Sequence, residues 1–303
     1  MPQPEWIETA LFIHGIMCDE NPGSHDPAYD GLFDLIQKAL KKKGKPLLDP
    51  SPIKVEWGWN SGQSTENDRF LSDVERIIRD RTSEIEKTSG DFSILRPVHL
   101  LARQIMIFGF GDLFYYISKD GEQAVRRQVF QTLCNQIAER KARYKKSKLS
   151  LTIIAHSAGT IIAHDLLYHL FRKSNKKSEG GEAVRQVRGM VQNGELRIRK
   201  FYSMGSPITP MIIRSDSLLI RLINNQKLDP EGIGLRQDDG LPNPRWVNSW
   251  DQDDVAAFPV EFLYANENQV IQDQYLDLGD VFPPVHGKYW TSPELARCVA
   301  ETF

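Results

Sequence analysis

The sequence predicts an α/β fold, a mainly parallel sheet covered by helices on both faces. Three observations carry this. Short apolar runs of strand length alternate with longer amphipathic runs of helical period, as repeated strand–helix units require. Leu149 to Ala155 (L-S-L-T-I-I-A) is the strongest strand signal in the chain, and a helix follows at once. The 303 residues, 40% hydrophobic and 26% charged, match an ordinary globular protein with ample length for a sizeable core.

Thr9 to His14 reads as a buried strand ending at Gly15. Tyr29 to Lys43 is helical, with Leu32, Phe33, Leu35, Ile36, Ala39 and Leu40 apolar and lysines before Gly44 at its end. Ile53 to Trp57 alternates as a second strand. Ala124 to Tyr144 is a long amphipathic helix with Val125, Val129, Leu133, Ile137 and Ala138 on one face. After the strand Leu149 to Ala155 comes a helix, Gly159 to Phe171, then a polar loop, Lys173 to Glu182, and a short helix, Ala183 to Val191. Leu196 to Ser203 and Arg245 to Trp250 are strands, and Val260 to Tyr264 reads as a strand or the approach to a short helix. Ser292 caps a closing helix, Pro293 to Thr302.

Two stretches break the alternation, Gly58 to Gly121 and Gly205 to Pro244. Loops of this length inside a compact domain are usually functional or carry structure of their own. The expectation is one domain over residues 1–303, with cap or lid insertions at 58–121 and 205–244 over one end of the sheet.

Composition excludes several classes. With 38 Lys+Arg against 40 Asp+Glu and a net charge of -2, there is no electrostatic case for a nucleic-acid partner. Cys18, Cys134 and Cys298 are too scattered for a disulfide framework or a zinc site. No basic n-region precedes the apolar run Leu11 to Ile13, so a signal peptide is not expected. The most apolar stretch, Ile94 to Ile117, is interrupted by Arg96, Arg103 and Asp112 and carries Pro97, Gly109 and Gly111, which argues against a transmembrane segment. The expected compartment is the cytoplasm. Peripheral membrane contact and oligomeric state stay open.

The chemistry concentrates at Ala155-His156-Ser157-Ala158-Gly159. A strand ends and a helix starts within this pentapeptide, so Ser157 must occupy a very tight turn that exposes its oxygen at the strand's C-terminal end. Its flanking positions two residues away must be small, as Ala155 and Gly159 are. A helix-capping serine is the bland alternative. His156 reads as a packing or loop residue, because a sequence neighbour points away from the serine oxygen. His14 has no ligand partners at metal spacing, and the cluster Asp251, Asp253 and Asp254 lacks the glycine-pivoted loop and distant glutamate of a calcium site. No metal is expected.

The strand-serine-helix turn, together with Leu11-Phe12-Ile13-His14-Gly15-Ile16-Met17, resembles the α/β-hydrolase superfamily, lipase-like branch, over Thr9 to Val299. Gly111-Asp112-Leu113-Phe114-Tyr115-Tyr116 and Met204-Gly205-Ser206-Pro207 are similar to relatives of the GPI inositol-deacylase type. Alanine replaces the usual first glycine of G-x-S-x-G. The resemblance implies Ser157 as nucleophile and backbone amides of Ile16 or Met17 and of Ala158 as the oxyanion hole. Its chain order of serine, acid, histidine implies His286 as base, in a loop reading H-x-x-Y-W, rather than His164 or His169. The acid should follow the strand Arg245 to Trp250, where the family's D-x-V pattern selects Asp253 among the three aspartates. Two strands usually precede the H-G strand in the family, so a sheet with a shortened first edge is expected.

The function expected is a serine hydrolase that cleaves carboxylic esters, needs no cofactor and accepts a small-molecule or lipid-like substrate. Leu101, Met106, Phe108, Phe110 and Phe114 are candidates for an acyl pocket or lid. A thioesterase or amidase would use the same residues, and a non-catalytic module of the same fold is the reading from a different class.

Overall fold

The computed structural model describes residues 5–15, 24–57, 126–172, 181–213, 216–235 and 240–303. The expected insertion at 58–121, its lid candidates Leu101, Met106, Phe108, Phe110 and Phe114, and the oxyanion candidates Ile16 and Met17 lie outside the described residues.

Six strands form one all-parallel sheet: β1 (Trp6–Ile13), β2 (Ile53–Val55), β3 (Lys148–His156), β4 (Leu196–Met204), β5 (Trp246–Trp250) and β6 (Ile271–Tyr275). Their spatial order is β2-β1-β3-β4-β5-β6. The described residues also form eight α-helices: α1 (Asp26–Lys42), α2 (Arg127–Arg143), α3 (Ala158–Phe171), α4 (Gly181–Gln192), α5 (Ile208–Ile213), α6 (Asp216–Ile223), α7 (Pro284–Lys288) and α8 (Pro293–Thr302).

Strand periodicity divides the core into two layers. Leu11 and Ile13 of β1 face one side with Leu151 and Ile153 of β3, where α2, α3 and α4 bury Leu133, Ile162 and Val187. Ala10 and Phe12 face the other side with Ile154, where α1 and α8 bury Leu32, Ile36, Leu295 and Val299. Each apolar side chain at period two thus meets a helical stripe at period 3.6. Ser292 caps α8 as expected, accepting from the Leu295 amide at 3.0 Å.

Two elements differ from the sequence reading. Of the two alternatives for Val260 to Tyr264, the helical one holds, as a 3-10 turn over Glu261–Leu263. The strand of this region is β6, whose sequence I-Q-D-Q-Y lacks an apolar run because it forms the sheet edge. The stretch 205–244 carries α5, α6 and a further 3-10 turn, Pro230–Ile233, and it places Ile208, Ile212, Ile233 and Leu235 in the core.

Strand order matters for the site. From β1 the chain passes through α1 to β2 on one flank, whereas β3 adds to the other flank, with α2, α3 and α4 on the opposite face. The direction of winding therefore reverses between β1 and β3, and an open parallel sheet leaves a crevice at the carboxyl ends of such a pair. Gly15 and Ser157 stand at that crevice, in register through Ile13 and Ala155.

The close approach of α3 to β1 is sterically specified. A Cβ on Gly159 would lie 2.2 Å from the His14 carbonyl oxygen and 2.7 Å from that of Ile13. We expect Gly159→Ala to lower the unfolding free energy by about 1–3 kcal/mol. Gly189→Ala, in the open interior of α4, should raise it by about 0.5–1 kcal/mol. Urea denaturation of the two variants checks both signs.

Candidate active site

Ser157 is the joint between β3 and α3, with φ 52° and ψ −131°. Positive φ is costly for a residue with a Cβ, on the order of 1–3 kcal/mol, and persists only where surroundings over-determine it. Here they do. The Ser157 amide donates to the Met204 carbonyl at 3.0 Å. Its carbonyl accepts from the Thr160 amide at 2.9 Å and the Thr160 hydroxyl at 2.6 Å. Thr160 is fixed in turn by Ser206 Oγ at 2.8 Å. As the first residue of α3, Ala158 presents an amide that no intrahelical carbonyl can accept.

Gly15 closes the site on the β1 side. A Cβ there would fall 2.5 Å from Ser157 Cβ and 3.1 Å from Ser157 Oγ. His14 holds this turn rather than serving as a ligand. Its Nε2 accepts from the Trp57 amide at 3.1 Å, so the proton sits on Nδ1, which donates to the Gly15 carbonyl at 2.5 Å. The His14 carbonyl accepts from Trp57 Nε1 at 2.7 Å, and the His25 ring stacks on His14 at 3.8 Å. Burial, with His25 beside it, lowers the His14 pKa to about 3.

On the β4 side stands a carboxylate–imidazole pair. His286, on α7, approaches Asp254 Oδ2 with Nδ1 at 2.8 Å. Against an ionised carboxylate Nδ1 must carry the proton, which leaves Nε2 with its lone pair. Asp254 is buried, and its Oδ1 accepts from the Ala256 amide at 3.1 Å. The Tyr289 hydroxyl accepts from the Asp251 amide at 3.0 Å, and burial together with the nearby Asp254 charge pushes the phenol pKa upward. Gly205, at φ 59°, forms the floor. A Cβ there would come within 3.1 Å of Asp254 Oδ2, His286 Cε1 and Tyr289 Cε2 alike.

The carboxylate that meets His286 differs from the one expected: the sequence favours Asp253, but that side chain is exposed, whereas Asp254 turns inward onto His286. Asp251 is buried and shapes the turn: its carboxylate accepts from the Asp253 and Leu278 amides, both at 2.8 Å. Three aspartates of identical chemistry thus divide by the face of the turn each occupies. Sequence reasoning also missed Gly205 and Tyr289 as parts of the site, although M-G-S-P and H-x-x-Y-W had marked both segments. His164 and His169 stay on α3, engaged with Tyr264 at 2.5 Å and Asp165 at 3.4 Å respectively.

Ser157, Ala158, Gly15, Asp254 and His286 are thereby gathered at the carboxyl ends of β1, β3, β4 and β5. Among the described residues no hydrogen bond joins Ser157 Oγ to the His286 ring. No group of three or more metal-ligating side chains occurs among the described residues, and none of their helices is long and apolar enough to cross a membrane. A scan of the chain against protein-family models and a search of curated proteins give no match.

Burial of neutral His14 has a pH signature. Between pH 6.5 and about 3 the unfolded chain binds a proton that the native state does not, so stability falls as pH falls through that window. This one residue should cost about 2 kcal/mol between pH 7 and pH 5. Urea unfolding at the two values should show at least that loss, and His14→Asn, which keeps a donor toward Gly15, should flatten the dependence by the same amount.

Proposed function

We propose that the chain is an α/β-hydrolase-fold serine hydrolase that cleaves carboxylic esters through Ser157, His286 and Asp254. The observation that carries this reading is the strained turn at Ser157 beside a buried Asp254–His286 hydrogen bond, at the crevice where the sheet reverses its winding. The chain order supports it: H-G after β1, serine after β3, aspartate after β5, histidine after β6.

In the proposed reaction Ser157 Oγ attacks the acyl carbonyl and passes its proton to His286 Nε2. Asp254 holds the ring in the tautomer that leaves Nε2 free to accept, and its charge stabilises the imidazolium. The Ala158 amide donates to the developing oxyanion, a contact worth about 2.7–4 kcal/mol in such sites. The protonated ring then delivers the proton to the leaving alcohol. Water, deprotonated by His286, releases the acid and restores the serine.

Labelling with an alkyl fluorophosphonate followed by peptide mapping tests the nucleophile, and modification is expected at Ser157 only. Ser157→Ala should lower ester turnover by about 10⁴–10⁶-fold with the fold intact. Labelling at another serine would remove Ser157 as the nucleophile, and no labelling would favour a binding module. Asp254→Asn should cost about 10⁴-fold in kcat, while Asp253→Asn leaves it nearly unchanged. Similar mild losses in both would place the acid elsewhere.

A further inference from the structure

The residue before the nucleophile makes a contact that the proposed chemistry does not use. His156 ends β3 and is buried, with its Nε2 2.7 Å from the main-chain carbonyl of His286. The two imidazole rings lie 4.6 Å apart, and Tyr289 and Trp290 flank His156 at 5.9 and 5.4 Å. A carbonyl only accepts, so Nε2 must carry the proton and donate.

This connects parts distant in sequence. His156 and Ser157 share a peptide bond, so one dipeptide bears both the serine and a hydrogen bond to the backbone of His286. His286 rides on α7, a helix of five residues, Pro284–Lys288. So short a helix cannot fix its own position through internal hydrogen bonds. Asp254 orients the ring from one side, whereas His156 holds the backbone from which the ring projects.

We propose that His156 is a positioning residue: its Nε2–H···O=C bond to His286 sets the distance between the base and Ser157. The proposal rests on the serine-hydrolase reading for its kinetic consequences but on the structure alone for the anchoring. Burial, then the neighbouring His286, holds the His156 pKa well below its ordinary value. It therefore stays an uncharged single donor and does not compete with His286 for the proton of the serine. Among the described residues Asp254 and Tyr289 also face His286, and His14 and His25 lie near enough to His156 to lower its pKa further. Lys288, further along α7, is paired with Asp280 at 3.0 Å.

Two substitutions separate anchoring from packing. Glutamine places an amide nitrogen near the position of Nε2 and can still donate to the His286 carbonyl. Asparagine carries the same group one methylene shorter and cannot reach. On the ester substrate, His156→Gln should stay within about threefold of wild type in kcat, whereas His156→Asn should lose about 10–100-fold in kcat with KM changed less than twofold. Hydrogen exchange supplies a readout independent of catalysis: amides of 282–290 should keep wild-type protection in the glutamine variant and lose it in the asparagine variant.

Equal kcat and equal protection in the two variants, whatever their stability, would overturn the proposal. So would a change confined to KM. If wild type neither turns over ester nor takes up fluorophosphonate, the hydrolase reading fails by itself. The exchange comparison then decides the anchoring alone, with loss of protection in the asparagine variant supporting it and unchanged protection overturning it.

Discussion

Where α3 leaves Ser157, its backbone runs against the exit of β1 with no room for a side chain. The virtual Cβ of Gly159 lies within 3 Å of the carbonyls of both Ile13 and His14. Close packing is intolerant of such overlap, so this contact fixes how near the serine turn and the Gly15 turn can stand. Given that approach, the rest follows by geometry. Ser157 is driven to φ 52°, Gly15 meets it without a Cβ, and the Ala158 amide is left at the open end of the helix. Strain on one residue is offset by hydrogen bonds to Met204 and Thr160, which are spent on holding the serine rather than on stabilising a relaxed turn.

The opposite wall is built from polar groups that hydrogen-bond to one another. Asn248 on β5 donates to the Phe258 carbonyl at 2.9 Å and to Asp273 Oδ1 at 2.8 Å, and accepts from Ser203 Oγ at 2.7 Å. Asp273 on β6 also accepts from the Val260 amide at 2.9 Å. The turn that carries Asp254 is thus tied down at its far end by two neighbouring strands. A buried polar network with every member paired rigidifies its surroundings, and here it braces the carboxylate that faces His286. Asp254 and His286 are held from below by Gly205, whose missing side chain lets three groups converge.

Much of this was legible in the sequence, for physical reasons. The run Leu149 to Ala155 is buried on both faces because β3 lies inside the sheet, and the abrupt change to a helix at Gly159 can be satisfied only by a tight turn. The edge strand β6 carried no such signal, since its residues are half-exposed and polar. Asp253 and Asp254 differ in which side of the turn they occupy, and that is set by amide contacts, Ala256 to Asp254 and Asp253 to Asp251, rather than by composition. His156 was set aside because a neighbour of the serine cannot reach its oxygen. That remains sound, yet the ring reaches the backbone of His286 instead, 130 positions along the chain.

The central claim is that Ser157, His286 and Asp254 act on one reacting centre. The most direct measurement is a crystal structure of the protein after reaction with an alkyl fluorophosphonate. The account predicts phosphorus bonded to Ser157 Oγ, the phosphoryl oxygen within hydrogen-bond distance of the Ala158 amide, and His286 Nε2 turned toward the adduct with Nδ1 still on Asp254. An unmodified Ser157 after exposure to the reagent, or an adduct whose phosphorus is out of reach of His286, would contradict it.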